Sequence, residues 1–279
     1  MNRKIFISVL STIIIFGLIS VIVFTFDKST EKSGNFSGEV DVGGYSMYIN
    51  VEGQRQNGLP TVVFENGLGC SYSDWDGVVL EIAKKTRIVT YDRIAIEQLD
   101  RKKVDYTAAG TAKRLHTLLK KAGVTGPIVL AVHSFGGIYA REYQYLYPDQ
   151  VKGIVFVDSS TEHQEKYLFP ESDPESTMND KLTVELSVND MINSYNQIDT
   201  AQATDPLRNL PIVVLSRGNY TDLEPGFEVR WADRQAYIAS LSSRSIHKTD
   251  TNSGHFIQRE NPPFIIDGIN ELLNQLKTN

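Results

Sequence analysis

The run Ile128-Val129-Leu130-Ala131-Val132 is unbroken by any polar residue and leads directly into His133-Ser134-Phe135-Gly136-Gly137. Beyond that point Tyr139, Ala140 and Tyr143 follow at helical spacing. An apolar run without polar alternation predicts a strand buried on both faces, and such a strand needs a layer of structure on each side of its sheet. Five further short runs, at 45–51, 61–64, 87–91, 153–157 and 211–215, read as strands, several of them equally continuous. Between two of these, residues 111–122 place Ala112, Leu115, Leu118, Leu119 and Ala122 on one helical face, with Gly123 as the stop signal. Strands alternating with helices predict an α/β chain with a largely parallel sheet covered on both sides.

Two segments depart from that rhythm. Residues 159–209 carry no buried-strand pattern; Leu182, Leu186, Met191 and Ile192 are scattered there among acids and amides, which predicts a helical insertion. At the other end, Arg3 and Lys4 precede a stretch, 5–26, that has no charged residue and is rich in Ile, Val, Leu and Phe. At about 1.5 Å per residue a helix of that length spans the roughly 30 Å core of a bilayer. The expected organisation is therefore a membrane anchor at 1–26, a polar tether at 27–37, and one domain at 38–279 with its cap insertion at about 159–209. Positive charge before the span favours an N-terminus inside and a domain outside the cell membrane. A cleaved secretory signal is the competing reading, although no Ala-x-Ala-like site closes the segment.

Composition narrows the partners. The net charge is −6, with no run of Lys and Arg of the kind that neutralises phosphates, so a nucleic-acid partner is not expected. Cys70 is the only cysteine, which excludes an intramolecular disulfide and effectively excludes thiolate metal sites. Nothing in the sequence defines an oligomeric state.

Chemistry concentrates at three places. A serine at a sharp strand-to-helix turn is presented above the sheet, with helix N-terminal amides beneath it, and this marks Ser134 as a nucleophile. Gly136 supplies the small residue such a turn needs on one side, whereas Val132 stands where a glycine is usual. Upstream, Thr61-Val62-Val63-Phe64-Glu65-Asn66-Gly67-Leu68-Gly69 is a strand followed by a glycine-rich turn. Such a turn offers a main-chain N–H to an oxyanion, together with the N–H of the residue after the nucleophile; these donors are assigned to Leu68 and Phe135. The rival reading of Gly67-Leu68-Gly69 as a dinucleotide phosphate loop lacks its third glycine. Near the C-terminus, Ser253-Gly254-His255 lies on a loop after the run 244–249 and before an amphipathic helix at 264–276. With serine first and histidine last, His255 is the expected general base. His116, His163 and His247 read as structural or exposed, and His133 as a residue that shapes the pocket.

These motifs, with Trp75 after the first, Tyr91-Asp92-Arg93, Gly153-Ile154-Val155-Phe156-Val157-Asp158-Ser159, and Pro262 after His255, resemble the α/β-hydrolase superfamily in order and spacing. The resemblance runs from about Gly44 to Leu276 and is nearest to bacterial members described loosely as esterases. It implies an eight-stranded, mostly parallel sheet with helices on both faces, a helical cap between strands six and seven, a Ser-His-acid triad and no cofactor. With Ser134 and His255 the expected chemistry is acyl transfer, with no metal, on a small-molecule carboxylic ester, because esters need the least leaving-group assistance, or on a related acyl bond; an acyltransferase, or a binding protein that keeps the fold without turnover, is the alternative. In one respect the chain departs from its relatives: Tyr-Asp-Arg often continues with Ala-Gly, but here it continues Ile94-Ala95-Ile96-Glu97-Gln98. Haloalkane dehalogenases and epoxide hydrolases of this fold attack with an aspartate, which a serine at position 134 disfavours. Two acids compete for the third position. Asp222 follows the run 211–215, after which the fold most often places its acid, but by a connection longer than usual. Asp158 ends the run 153–157, a position that resembles the acid site of some dehalogenases. Asp158 is favoured, because a carboxylate that orients an imidazole belongs on a rigid, partly buried element.

Overall fold

The structure, a computed structural model, describes residues 34–93, 104–169, 171, 185–221 and 223–277. Its strands are β1 (Phe36–Asp41), β2 (Ser46–Glu52), β3 (Thr61–Glu65), β4 (Ile88–Tyr91), β5 (Ile128–His133), β6 (Val151–Val157), β7 (Ile212–Arg217) and β8 (Ser245–Asp250). They form one sheet in the order β1-β2-β4-β3-β5-β6-β7-β8. The first two strands run antiparallel to their neighbours, and from β4 through β8 every pairing is parallel.

Because side chains alternate across a strand, each apolar run serves two layers at once. Leu130, Val132, Ile154, Phe156 and Val214 face one core, which is closed by α2 (Ala108–Lys121) and α3 (Gly136–Leu146) through Leu115, Leu118, Leu119 and Tyr143. Val129, Ala131, Val155, Val157, Val213 and Leu215 face the other, closed by α1 (Asp76–Ala83) through Val78 and Ile82 and by the C-terminal helix through Ile265, Ile269 and Leu272. Each Val, Leu, Ile or Phe side chain among them, removed from water, contributes about 1.5–3 kcal/mol to the driving force.

The insertion between β6 and β7 is helical where it is described, with α4 (Gln164–Leu168) and α5 (Val188–Gln202). A capping box starts α5: Ser187 accepts from the Asp190 N–H while the Asp190 side chain returns to the Ser187 N–H. After β7 come α6 (Phe227–Ser240), β8, α7 (Ile257–Glu260) and α8 (Pro262–Lys277).

One expected boundary is corrected. The tether was expected to reach residue 37, but Phe36 and Ser37 already belong to β1, in register with Val51 and Asn50 of β2. This strand pairs on one side only and is mostly exposed, so it lacks the apolar run that reveals the others. Among the described residues no helix is long and apolar enough to cross a membrane, and the expected span at 5–26 lies outside them.

Candidate active site

At the C-terminal end of β5 the chain turns abruptly into α3, and Ser134 takes the left-handed conformation at φ 53°. For a residue with a Cβ this costs about 1–2 kcal/mol, so the surroundings must hold it. They do so through the main chain: the Ser134 N–H donates to Val157 O at 3.2 Å, and the Ser134 carbonyl accepts from Gly137 and Ser160 at 3.0 and 2.9 Å. The turn also presses against the loop after β3. A Cβ on Gly136 would lie 2.8 Å from Asn66 O, so only glycine fits between the two loops.

The Ser134 Oγ is 3.0 Å from His255 Nε2, and His255 Nδ1 is 2.6 Å from Asp158 Oδ2. A carboxylate only accepts, so Nδ1 carries the proton and Nε2 is left to accept from the Ser134 hydroxyl. Asp158, the residue after β6, is fully buried. Its Oδ1 accepts from Trp231 Nε1 at 2.7 Å and from the Arg217 N–H at 3.1 Å, and Arg217 Nε lies 3.2 Å from Oδ2. This burial is therefore well compensated. Asp222, the rival acid, lies outside the described residues.

The loop carrying His255 is set by Asp250 at the end of β8, which accepts from Ser253 Oγ at 2.5 Å and from Asn261 Nδ2 at 2.9 Å. Next to it, the Gly254 N–H donates to Glu260 at 2.8 Å. Buried His133 donates from Nε2 to the His255 carbonyl at 2.9 Å. Burial, and then the proximity of His255, hold the His133 pKa well below the usual imidazole value. The other histidines serve elsewhere: His116 stacks on Tyr147, His163 meets Asp199, and His247 bonds Ser216.

Ser134 and His255 open into a cavity of about 330 Å³ whose lining includes Leu68 and Phe135. Among the described residues no acceptor is bonded to the main-chain N–H of either. The walls are largely apolar, with Leu168, Phe169, Met191, Phe227 and Trp231 drawn from the cap and α6, and with Arg217 and Glu165 as charged members. Among the described residues no group of three His, Cys, Asp or Glu side chains is disposed to hold a metal ion.

Ser134, His255 and Asp158 are thus brought into one chain of contacts, and Leu68 and Phe135 line the same cleft. The surroundings of Asp158 were not foreseen. A buried tryptophan must find an acceptor for its indole N–H, and that was the one available signal for Trp231. Arg217, as the last residue of β7, gave none.

The family model of the alpha/beta hydrolase fold matches residues 60–182. Protein YqjL of Bacillus subtilis (strain 168) is 27% identical over 205 residues, covering 74% of this chain and 80% of its own. The probable transporter efuK of Hormonema carpetanum is 30% identical over 144 residues, but these are only 21% of its length and 50% of this chain. Among solved structures, the epoxide hydrolase CorEH has a TM-score of 0.58 at 14% identity, covering 87% of this chain and 100% of its own. The inferred ancestral haloalkane dehalogenase AncHLD2 reaches 0.61 at 15%, covering 87% and 100%. At such identities these structures speak for the fold alone. Strand order and the match over residues 60–182 agree on the alpha/beta hydrolase fold, with one eight-stranded, mostly parallel sheet.

Proposed function

We propose that the protein is a serine hydrolase that cleaves a carboxylic ester or a related acyl bond. The observation that carries this reading is the contact chain from Ser134 Oγ through His255 to the buried Asp158 carboxylate, at 3.0 and 2.6 Å. His255 takes the Ser134 proton as Oγ adds to the substrate carbonyl, and Asp158 stabilises the imidazolium that forms. The N–H groups of Leu68 and Phe135 receive the oxyanion. His255 then returns the proton to the leaving alcohol, and water releases the acyl group by the same path in reverse. A cavity of about 330 Å³ with apolar walls suits a small to medium apolar acyl or alcohol group.

Ser134 supports ester chemistry over epoxide or haloalkane hydrolysis, since the resembled subclasses with those reactions attack with an aspartate at the nucleophile position. Reaction with a fluorophosphonate probe tests the reading: labelling maps to Ser134 and disappears in Ser134→Ala, together with turnover of p-nitrophenyl esters. Labelling of the alanine variant at another residue, with turnover retained, would overturn it.

The same proposal puts the domain outside the cell membrane on a single N-terminal anchor, on the strength of Arg3 and Lys4 before the uncharged stretch 5–26. Protease added to intact cells then degrades the domain; full protection contradicts this topology.

A further inference from the structure

Arg93, two residues after β4, is buried beneath the loop 66–69, and all five of its N–H donors are engaged. Nε and Nη2 meet Glu185, Nη1 meets Glu65 and the Asn66 carbonyl, and Nη2 also meets the Gly67 carbonyl. Glu185 comes from the insertion between β6 and β7, and its Oε2 also accepts from the Gly69 N–H at 2.9 Å. The loop is held from its other flank by Asn66, which accepts from Trp75 Nε1 at 2.9 Å and donates to Tyr91 O at 3.0 Å.

A trans peptide carries its C=O and N–H on opposite sides of one plane. The Gly67 carbonyl is turned toward Arg93, so the Leu68 N–H in the same plane is turned away from it, and Leu68 lines the cavity with Ser134. We propose that Arg93 is a positioning residue that aims the Leu68 N–H at the reacting oxygen, and that Glu185 makes this aim depend on the cap. The inference rests on the serine-hydrolase reading given above. Its physical content is that a donor in an oxyanion site counts only when fixed before the charge develops, and a loop containing two glycines is not fixed by its own backbone. The planar guanidinium fixes two successive carbonyls at once, which the compact ammonium of a lysine does not.

The experiment compares wild type with Arg93→Lys and Glu185→Gln on a p-nitrophenyl ester and on a trifluoromethyl ketone. Ser134 Oγ adds to the ketone carbon, its proton passes to His255, and the resulting alkoxide occupies the oxyanion site. Complete loss of an oxyanion donor costs about 10²–10³ in kcat, so Arg93→Lys should lower kcat by about 10–100-fold. The affinity for the ketone should fall by the same factor, with KM nearly unchanged. Glu185→Gln, which keeps the shape but loses the charge and one acceptor, should move both quantities in the same direction by less. A residue that only stabilises the fold would lower the melting temperature without this parallel loss. Unchanged kcat and ketone affinity in both variants would overturn the inference, and Glu185→Gln decides alone where Arg93→Lys does not fold. Failure of the underlying reading is distinguishable, because wild-type turnover would then survive Ser134→Ala.

Discussion

His133 donates a 2.9 Å hydrogen bond from its ring to the main-chain carbonyl of His255, tying the residue before the proposed nucleophile to the backbone of the proposed base. The two rings lie 4.6 Å apart, and a proton on His133 would therefore oppose the one that His255 gains during reaction. Burial first, and the charge of His255 second, hold the His133 pKa well below its ordinary value, so the ring is neutral in the fold.

A pH dependence of stability follows. In the unfolded chain His133 titrates near 6.5, whereas in the fold it resists protonation. Its stabilising share is thus fully present above about pH 6.5 and is lost as pH falls from there toward the depressed folded value, with a slope of up to about 1.4 kcal/mol per pH unit. His116 and His247, also lowered by burial, add in the same direction. Glu65, Asp92 and Glu142, whose pKa values burial raises, act in the opposite direction, so the His133 share is isolated by comparing variants: in urea unfolding between pH 7 and pH 5, His133→Asn should lose less stability than wild type as pH falls. An unaltered slope in that variant contradicts the assignment.

Exchanging the proposed triad acid for an amide should be costly in two ways. Asp158 accepts from His255, Trp231 and the Arg217 main chain and lies against the Arg217 guanidinium. In Asp158→Asn an N–H₂ would face at least one of these donors, the His255 tautomer would lose its partner, and Arg217 would lose its countercharge. A fall in kcat of about 10⁴-fold is expected by analogy with the serine-protease triad, along with lower resistance to urea. Asp222→Asn should change kcat far less. The opposite ranking in folded variants would transfer the role to Asp222.

Much of this was readable because it is written in local patterns. Continuous apolar runs marked β3, β5, β6 and β7, since burial on both faces leaves no room for polar alternation. Edge strand β1 escaped notice because it is mostly exposed and contains Gly38. Helix α6 escaped for a different reason: its buried positions Phe227, Trp231 and Ile238 are interrupted by buried Gln235, which donates to Ser159 O. A polar residue on the inner face hides the helical period. In the site, Ser134 and His255 stood out by motif and chain order. The contacts of Arg217, Arg93 and Glu185 did not, because each joins segments far apart in the chain.

Cys70 should behave as an inert thiol. Burial, reinforced by a hydrogen bond and negative charge from Asp74, pushes its pKa up to about 12, so almost no thiolate exists near neutrality. Iodoacetamide at pH 8 should leave the native protein unmodified and fully active while labelling the urea-unfolded chain readily. Rapid labelling of the native state, with loss of activity, would mean that the loop after β3 opens far more often than its contacts imply.

Gly67→Ala tests how tightly that loop abuts the nucleophile turn. A Cβ at Gly67 would lie 2.9 Å from His133 Nδ1, 3.2 Å from Ser134 Cβ and 3.3 Å from Cys70 Sγ. None of the three yields cheaply: the His133 ring is held through Nε2, Ser134 sits in a constrained turn, and Cys70 is itself half-buried. The methyl group must then push the loop away from Ser134, and Leu68 moves with it. Overpacking of this kind costs about 1–3 kcal/mol. Activity should suffer more than stability, because an oxyanion donor displaced by a few tenths of an ångström already misses the developing charge. Thermal unfolding and steady-state kinetics of Gly67→Ala should therefore show a modest loss of melting temperature and a fall in kcat of at least about tenfold. A variant with wild-type kcat would show that this loop does not serve the oxyanion.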